Sequence, residues 1–582
     1  MNRIKTKNNA GARCVNLVRK NRLSSAIALI LASSSTAVHA AAIDVGNTDF
    51  NVRWDNTVRY NAGWRMEKEN DTFSRSQAYD DTEHKFQRGD MVTNRLDLIS
   101  ELDVVYKNAY GFRVSGAAWY DHAYQDSAEP NTDIAGSSGN FYNNHYNSYT
   151  TRYISGPSGE ILDAFVFGNF NLGSMSANVK VGQHNVYWGE SLYSIGNSIA
   201  YSQGPVDTIK SATSPGAEAK ELFLPLKQIS TTIQLTDELA LSAQYLLDWE
   251  PFRLVPGGTY FAGSDGARSD LGNTAAGGLE VSNGDDLEPD DKKGDFGVSL
   301  RWSPWWLEGT AGVYYRKFDE KLPWSFQQLA PSGFPPPFPA ALPTDIRLAY
   351  ARDTELYGVS FSKNIGTVSI GSEVSFRKNT ALNSAAGYAV LGANSANPTY
   401  SEAEGARGDT WHALVNAIYL LPRTFLWEGG TLQGEITYNH LDKITENEGR
   451  YNGLGYGCVG PNAANPVWKD SCADDHSLGA QIGFTPEWPQ LFPGWDVSMP
   501  VTLAYGIDGN SPTPGGTNED AYNYSIGIAG KLRNTHTLTL RWVDSHAEYK
   551  TTNTGLAASQ YTNGSAVQND HGWISFSYKA TF

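Results

Sequence analysis

The chain has 582 residues, of which 40% are hydrophobic and 12% aromatic, and its formal net charge is −17 at pH 7. Because nucleic-acid binding depends on clustered Lys and Arg, so acidic a chain is a poor candidate for that function, and divalent cations are more plausible partners. With 57 Gly, 31 Tyr and almost no sustained helical periodicity, the composition also argues against a helical, multidomain soluble protein.

Residues 1–40 have the order of a secretory signal peptide. Seven basic residues precede an apolar run from Leu23 to Ala32, and small residues follow up to Ala40. We expect cleavage after Ala40, which removes the seven positive charges and takes the net charge from −17 to about −24. No other stretch approaches the roughly 20 apolar residues of a membrane helix, so any membrane-spanning form must be a barrel.

Residues 50–66 are the first of many segments that alternate between apolar and polar residues. Arg53 and Arg59 fall on the polar parity, opposite Val52, Trp54 and Val58. The same alternation puts Arg95 and Glu101 on the polar face of residues 94–106. A period of two is typical of a β-strand, and charges that cannot face lipid must face a lumen.

Long and short connections alternate along the chain between such segments. About eighteen segments can be counted, which predicts an all-β fold: residues 41–582 form one transmembrane antiparallel β-barrel of the outer membrane. The long connections, which include residues 188–226, 250–294 and 319–352, are expected outside the cell. The short turns and both termini are expected in the periplasm.

The last stretch, residues 570–582, reads as the closing strand of this barrel. From Gly572 the even positions are apolar and end on Phe582, while the odd positions from Ser575 are polar. A terminal Phe on such a strand resembles the signal read by the bacterial barrel-assembly machinery, which makes that machinery an expected partner. The alternative is an ordinary edge strand of a soluble sheet.

Aromatic residues collect where the predicted strands should meet the two membrane interfaces, as in the girdles of a barrel. At the predicted periplasmic turns these are Trp302, Trp305, Trp306, Trp427, Trp488 and Trp495, and at the outer ends Trp64, Tyr187, Trp188 and Trp249.

Residues 188–226 are the strongest candidate for a segment that folds into the lumen, because a barrel of this size is too wide for wall side chains to fill. The segment carries charges of both signs: Glu190, Asp207, Lys210, Glu218, Lys220 and Glu221. We expect these to pair with the wall residues Arg53, Arg59, Arg95, Glu101, Arg113, Lys180 and His184, and to form a constriction or selectivity element. The alternative is an outward loop whose charges are solvated.

Two other long connections have features of their own. The proline-rich stretch of residues 326–343 could act as a lid or a capture site for an apolar solute, or simply as a rigid loop. Asp285 to Asp291 could bind calcium, but without the spacing of a calcium loop a solvated acidic loop is the better interpretation.

Cys458 and Cys472 are the cysteines left after signal removal. In an exported protein they most simply form a disulfide. A metal site is the rival interpretation.

The insert and its flanks resemble the outer-membrane family catalogued as domain of unknown function 1302. The resemblance rests on residues 182–192, 204–207, 215–225, 241–253 and 258–261, and it extends to residues 98–120 and the terminal strand. It implies a Gram-negative outer-membrane barrel that handles hydrophobic compounds beside periplasmic lipid-handling or exporter proteins.

Function is therefore predicted as transport of hydrophobic or amphipathic small molecules across the outer membrane, in contact with its lipid and lipopolysaccharide. The alternatives are a general aqueous porin and a surface binding or structural barrel. Because the chain lacks the common nucleophile, zinc and phosphate-binding motifs, we expect neither an enzyme nor a cofactor.

Overall fold

The structure is a computed structural model, which describes residues 41–74, 79, 82, 84–125, 145–215, 217, 219–266, 268, 282–331, 341–384, 387–390, 398–456, 458, 472–551, 559–561 and 566–582. The predicted signal peptide, residues 1–40, lies outside the described residues. None of the helices in the described ranges is long and apolar enough to cross a membrane.

Strands account for most of the described chain. They are β1 (Ala41–Ile43), β2 (Phe50–Arg65), β3 (Met91–Tyr106), β4 (Tyr110–Asp121), β5 (Ser158–Leu172), β6 (Met175–His184), β7 (Leu226–Gln234), β8 (Leu239–Leu246), β9 (Ser282–Asn283), β10 (Phe296–Trp302), β11 (Gly309–Phe318), β12 (Trp324–Pro331), β13 (Ala341–Ala349), β14 (Thr354–Ile365), β15 (Val368–Ala381), β16 (Gly387–Val390), β17 (Arg407–Leu420), β18 (Gly429–Glu446), β19 (His476–Phe492), β20 (Trp495–Ser498), β21 (Val501–Asp508), β22 (Tyr522–Leu532), β23 (His536–His546), β24 (Tyr549–Thr551), β25 (Ser559–Tyr561) and β26 (Trp573–Thr581).

The helices are short and lie in the connections. They are α1 (Asp71–Ser74), α2 (Ser148–Thr150), α3 (Thr208–Thr213), α4 (Ala219–Leu222) and α5 (Tyr400–Ala403), with a π-helical turn at Thr151–Ser155 and 3₁₀ turns at His122–Tyr124, Ile195–Asn197, Glu448–Arg450 and Ala566–Asp570.

Eighteen antiparallel strands of the described chain form a closed barrel, which confirms the predicted fold class. Its wall runs through β2–β8, β10, β11, β14, β15, β17–β19, β20 with β21 as one interrupted strand, β22, β23 and β26. The last strand pairs with the first from Thr57–Thr581 to Arg65–Trp573, and the Asn56 amide donates to the Phe582 carbonyl at 2.7 Å. β1 adds a short extra strand against β2.

The alternation predicted for the wall is present in the register. In β2 the odd-numbered Asp55, Thr57, Arg59 and Asn61 are buried in the interior, whereas Trp54 is 48% exposed on the outer face. Apolar side chains cover that outer face around the barrel, as a lipid-facing surface requires. Examples are Leu98, Val166, Val298, Val359, Val415, Ile436, Ile482 and Ile528.

Connections at the two ends of the barrel differ in length, as predicted. At one end the strands are joined by turns such as Lys107–Ala109, Gly173–Ser174 and Gly366–Thr367, and at the other end by loops of 13 residues or more, such as 66–90 and 509–521. Strands β12, β13, β9 and β16 form a separate four-stranded sheet within the long loops. Trp324, Phe326 and Ala349 belong to the core beneath it.

The predicted aromatic girdle is only partly present. At the short-turn end Trp302, Trp305 and Trp306 are exposed on the surface. Tyr187, Trp188 and Trp249 do not belong to the opposite girdle, however, because β6 ends at His184 and the wall strand β8 at Leu246. The first two residues enter the interior, and Trp249 is buried against Tyr350 beneath the long loops.

Candidate functional site

The strands β6 and β7 pair from Ser176–Gln234 to His184–Leu226, so the wall is continuous between them. The connection between them, residues 185–225, lies inside the barrel where the structure describes it, and we call it the lumen insert. The insert begins three residues earlier than the alternation predicted. Gly182 has φ of +126°, and a Cβ there would lie 2.3 Å from the Ala164 carbonyl oxygen, so only glycine fits this close approach to β5. His184, predicted to face the lumen, is buried where the insert begins, with Nε2 2.7 Å from Ser230 Oγ.

Two wall carboxylates hold the first part of the insert by its backbone. Glu373 on β15 accepts from the amides of Glu190, Ser191 and Ile199, the last two at 2.9 and 2.7 Å. Glu373 is 3% exposed. A carboxylate that takes three backbone N–H groups fixes a segment without depending on its side chains.

Glu435 on β18 does the same for the next residues. Its oxygens accept from the amides of Leu192, Tyr193 and Ser194 at 2.7, 3.2 and 2.7 Å, and from Ser191 Oγ at 3.3 Å. Because seven wall strands separate β18 from β6, the insert crosses the lumen to the opposite wall.

The insert turns back against the far wall at Ser198 to Tyr201. Arg377 donates to the Ser198 carbonyl at 3.0 Å, and Arg316 donates to the carbonyls of Ile199 and Tyr201 at 2.9 and 2.7 Å. Both guanidinium groups belong to fully buried side chains. The two arginines therefore bind backbone carbonyl groups of the turn, whereas the two carboxylates bind backbone amide groups of the residues that lead to it.

The returning half of the insert contacts the first wall strands through charged groups. Glu221 in α4 pairs with Arg59 of β2, and Arg253 pairs with both Asp207 of the insert and Glu160 of β5, each at 2.8 Å. These side chains are at most 12% exposed, so the pairs are poorly screened by solvent.

The candidate residues predicted from sequence divide into three groups. Arg59 and Glu221 form a contact between wall and insert, and the carboxylate of Glu190 lies 3.4 Å from Arg301 of the wall. Asp207 pairs with Arg253 of the long loop after β8. Lys210 is buried in α3, with its ammonium 5.8 Å from the Trp119 ring centroid. Glu218 lies outside the described residues, and nothing is described of the Lys220 side chain.

Arg53, Arg95, Glu101 and Arg113 pair with other wall residues and not with the insert. Arg53 pairs with Asp55, and Arg95 with Asp97. Arg113 pairs with Glu101, and it lies 3.3 Å from Asp163 and 3.7 Å from Asp103. The first two pairs each lie within one strand, and Arg113 of β4 pairs across to β3 and β5, so wall carboxylates neutralise charges that the sequence had suggested for the insert.

Ligand pockets commonly have volumes of about 300–1,000 Å³. A cavity of about 880 Å³ lies between the insert and strands β3–β6. We call it the main cavity. Its lining combines apolar and charged groups. The apolar ones are Ile99, Leu162, Phe165, Tyr187, Trp188, Leu192, Ile195, Leu222 and Phe223, and the charged ones Glu101, Arg113, Asp163, Lys180 and Glu221.

A second cavity of about 500 Å³ lies on the other side of Tyr187 and Trp188, and its lining is different in character. We call it the hydroxyl-lined cavity. It shares Lys180 with the main cavity and extends to the short turn at Asp237 and Glu238. Its hydroxyl groups come from Ser230, Thr231, Thr232, Ser242, Ser299, Ser303 and Thr310.

The acidic loop does not have the geometry of a calcium site. Asp286 pairs with Arg268, Glu288 with Lys292 and Asp290 with Arg352, so three of its five carboxylates are neutralised by ion pairs. Among the described residues, no group of three or more His, Cys, Asp and Glu side chains is placed to hold a metal ion. Cys458 and Cys472 form the disulfide that the sequence predicted.

The fold and the insert together define a class of protein: a closed transmembrane β-barrel whose lumen is crossed by a segment of its own chain. The chain belongs to the family described as protein of unknown function (DUF1302), whose model matches residues 22–582. The resemblance inferred from the insert is thereby confirmed. A search of curated protein sequences finds no match.

Solved structures of bacterial porins are similar to this chain at low identity. OccAB2 from Acinetobacter baumannii is 10% identical with a TM-score of 0.39, and 94% of this chain and 99% of that chain are covered. A BenF-like porin from Pseudomonas fluorescens Pf-5 is 10% identical with a TM-score of 0.39, covering 91% and 98%. OprD from Pseudomonas aeruginosa is 9% identical with a TM-score of 0.36, covering 91% and 94%. At these values the similarity carries no argument about solutes.

Proposed function

We propose that the protein is a transport barrel of the bacterial outer membrane, in which the lumen insert controls passage and the main cavity accepts amphipathic small molecules. The closed barrel with an apolar outer face supports the membrane location. Only a barrel or a helix satisfies its backbone hydrogen bonds within lipid. The insert, held at the far wall by Glu373 and Glu435, supports a barrel that is obstructed at rest.

The observation that carries the substrate class is the mixed lining of the main cavity. Phe165, Leu192 and Phe223 offer apolar surface to a solute, while charged groups remain within the same cavity. A solute with an apolar body and a polar end uses both kinds of lining, and it buries more apolar surface there than a sugar or an inorganic ion does.

A general aqueous porin is the second candidate, and the hydroxyl-lined cavity favours it. Ser230, Thr232 and Ser242 offer hydroxyl groups to polar solutes on the route toward the short turns. In that case the main cavity would be a passage for water and not a binding site.

Partners remain part of the proposal. We expect the barrel to be inserted by the barrel-assembly machinery, to contact lipid and lipopolysaccharide, and to work with periplasmic lipid-handling or exporter proteins. Amphipathic solutes that leave the short-turn end need such carriers, because their apolar parts are poorly soluble in the periplasm.

Uptake by proteoliposomes tests the proposed substrate class. The protein should admit 4-butylbenzyl alcohol, measured above the rate of protein-free vesicles, at least about tenfold faster than a sugar of similar size. Phe223→Glu introduces a carboxylate into the main cavity, where the ring lies 4.5 Å from Tyr187, and should reduce alcohol uptake. Thr424→Glu introduces the same charge at an exposed short turn outside both cavities and serves as the control. Faster sugar uptake, unaffected by Phe223→Glu, would favour the porin.

A further inference from the structure

We infer that Lys180 is the anchor for an anionic group, so that the main cavity selects amphipathic solutes with a carboxylate or a similar anion at one end. This inference rests on the proposed function and specifies its substrate class. Lys180 is placed on the lumen face of β6, where Phe167 of β5 and Ser230 of β7 are its cross-strand neighbours. It lines both the main cavity and the hydroxyl-lined cavity.

Lys180 differs from the other cations of the main cavity because its charge is not neutralised. Arg113 is paired with Glu101 and Asp163, and Arg59 is paired with Glu221 at the edge of the cavity. In the part of the chain that the structure describes, the Lys180 ammonium forms no hydrogen bond or ion pair, and it lies 5.4 Å from the Phe165 ring centroid. Such a cation–π contact contributes only about 0.5–1 kcal/mol, so the ammonium can still bind a carboxylate.

Charges on strands β3–β5 give a solute in the main cavity a direction. Arg113 is shared among Glu101, Asp103 and Asp163, which leaves an excess of negative charge on β3–β5. An anionic group is repelled from that side and attracted to Lys180. The apolar body then lies against Phe165, Tyr187 and Phe223.

The position of Lys180 at the junction of the two cavities suggests how such a solute moves on. The side of Lys180 that faces the hydroxyl-lined cavity leads past Ser230 and Thr232 toward the short turns. An anionic group can exchange from the ammonium to hydroxyl donors in that direction, while the apolar body remains in the main cavity until the last step.

Binding of three soluble probes of equal shape tests the inference. The probes are 4-butylbenzoate, 4-butylbenzyl alcohol and 4-butylbenzyltrimethylammonium, and calorimetry on the refolded full-length mature protein gives each Kd. We expect benzoate to bind about tenfold tighter than the alcohol, and the ammonium compound to bind weakest. Lys180→Met keeps the apolar stem and should remove the preference for benzoate while leaving the Kd of the alcohol within about twofold.

Lys227→Met is the matched control, since this lysine lies on the neighbouring strand but its ammonium is exposed and paired with Asp248 at 2.7 Å. It should leave all three affinities unchanged. Equal affinities for benzoate and alcohol in the wild type, or a benzoate preference that survives Lys180→Met, would overturn the inference and leave the proposed function intact. No binding of any probe to the wild type would overturn both.

Discussion

The contact between Glu435 and the lumen insert offers the sharpest test of how the lumen is kept closed. Glu435→Gln preserves the size of the side chain but replaces one carboxylate oxygen by an N–H₂ group that faces backbone donors. The oxygen nearest to Tyr193 and Ser194 now accepts their amides at 3.2 and 2.7 Å, and the other accepts Leu192 at 2.7 Å. Each charge-assisted hydrogen bond contributes about 1.5–3 kcal/mol.

Loss of about two such bonds should weaken the held position of the insert by about 3 kcal/mol or more. Because 1.4 kcal/mol corresponds to a factor of ten, the ratio of released to held insert rises by about a hundredfold. Open probability in a planar bilayer measures this ratio directly. Glu446→Gln is the control, because that residue is exposed at the other end of the same strand. Unchanged open probability in Glu435→Gln, or an equal rise in the control, would refute the reasoning.

Three further predictions concern the barrel itself. Ile436→Lys places a charge on the lipid face where the side chain is 56% exposed, and it should lower the free energy of unfolding in lipid vesicles by about 2–4 kcal/mol; a cost below about 1 kcal/mol would mean that this face does not contact lipid. Replacing both Cys458 and Cys472 by Ser opens a loop closed across 14 residues and should destabilise it by about 3 kcal/mol. Proteolysis of intact vesicles should then cut between β18 and β19 faster than in the wild type, and equal rates would contradict a stabilising role. Burial raises the pKa of Asp319 to about 6. Since this pKa is higher than that of Asp in the unfolded chain, the free energy of unfolding of the wild type falls as pH rises from 4 to 7. Over the same range the Asp319→Asn variant should become more stable relative to the wild type by up to about 3 kcal/mol. A stability difference that does not change with pH would show that the carboxylate is not desolvated.

The barrel wall could be predicted from the sequence because each strand carries its own evidence. A lipid face and a water-filled face impose a period of two on every spanning segment, as in β2, where Trp54 faces out and Arg59 faces in. The count of eighteen followed from the alternation and from the difference between long and short connections. The barrel closes where Asn56 hydrogen-bonds to Phe582. In the sequence, the only sign of this closure is the alternation of the terminal strand.

The site could be predicted only in part, because its contacts join residues far apart in the sequence. The charge pattern correctly marked the insert, and the pairing of Arg59 with Glu221 across 162 residues agrees with it. Glu373, Glu435, Arg316 and Arg377 were missed. Each lies on the inward-facing parity of its strand, like many other charged residues of the wall. Its partners are backbone groups of the insert, which carry no side-chain signature.

The end of β6 shows the same limit at a smaller scale. The alternation of apolar and polar residues continues to Tyr187. We therefore predicted a longer strand and placed Tyr187 and Trp188 in the outer aromatic girdle. The structure ends the strand at His184, two residues after the bend that Gly182 permits. A glycine in an alternating segment indicates a possible bend but does not say whether the chain then turns inward or outward.

Single-channel conductance of the refolded mature chain, with and without residues Ser191 to Glu221, tests the central claim most directly. The deletion removes the backbone groups held by Glu435 and most of the path across the lumen. We predict that the intact protein is closed for most of the recording and that the deletion variant shows large, steady conductance. Equal conductance of the two proteins would contradict the claim that the insert controls passage through the barrel.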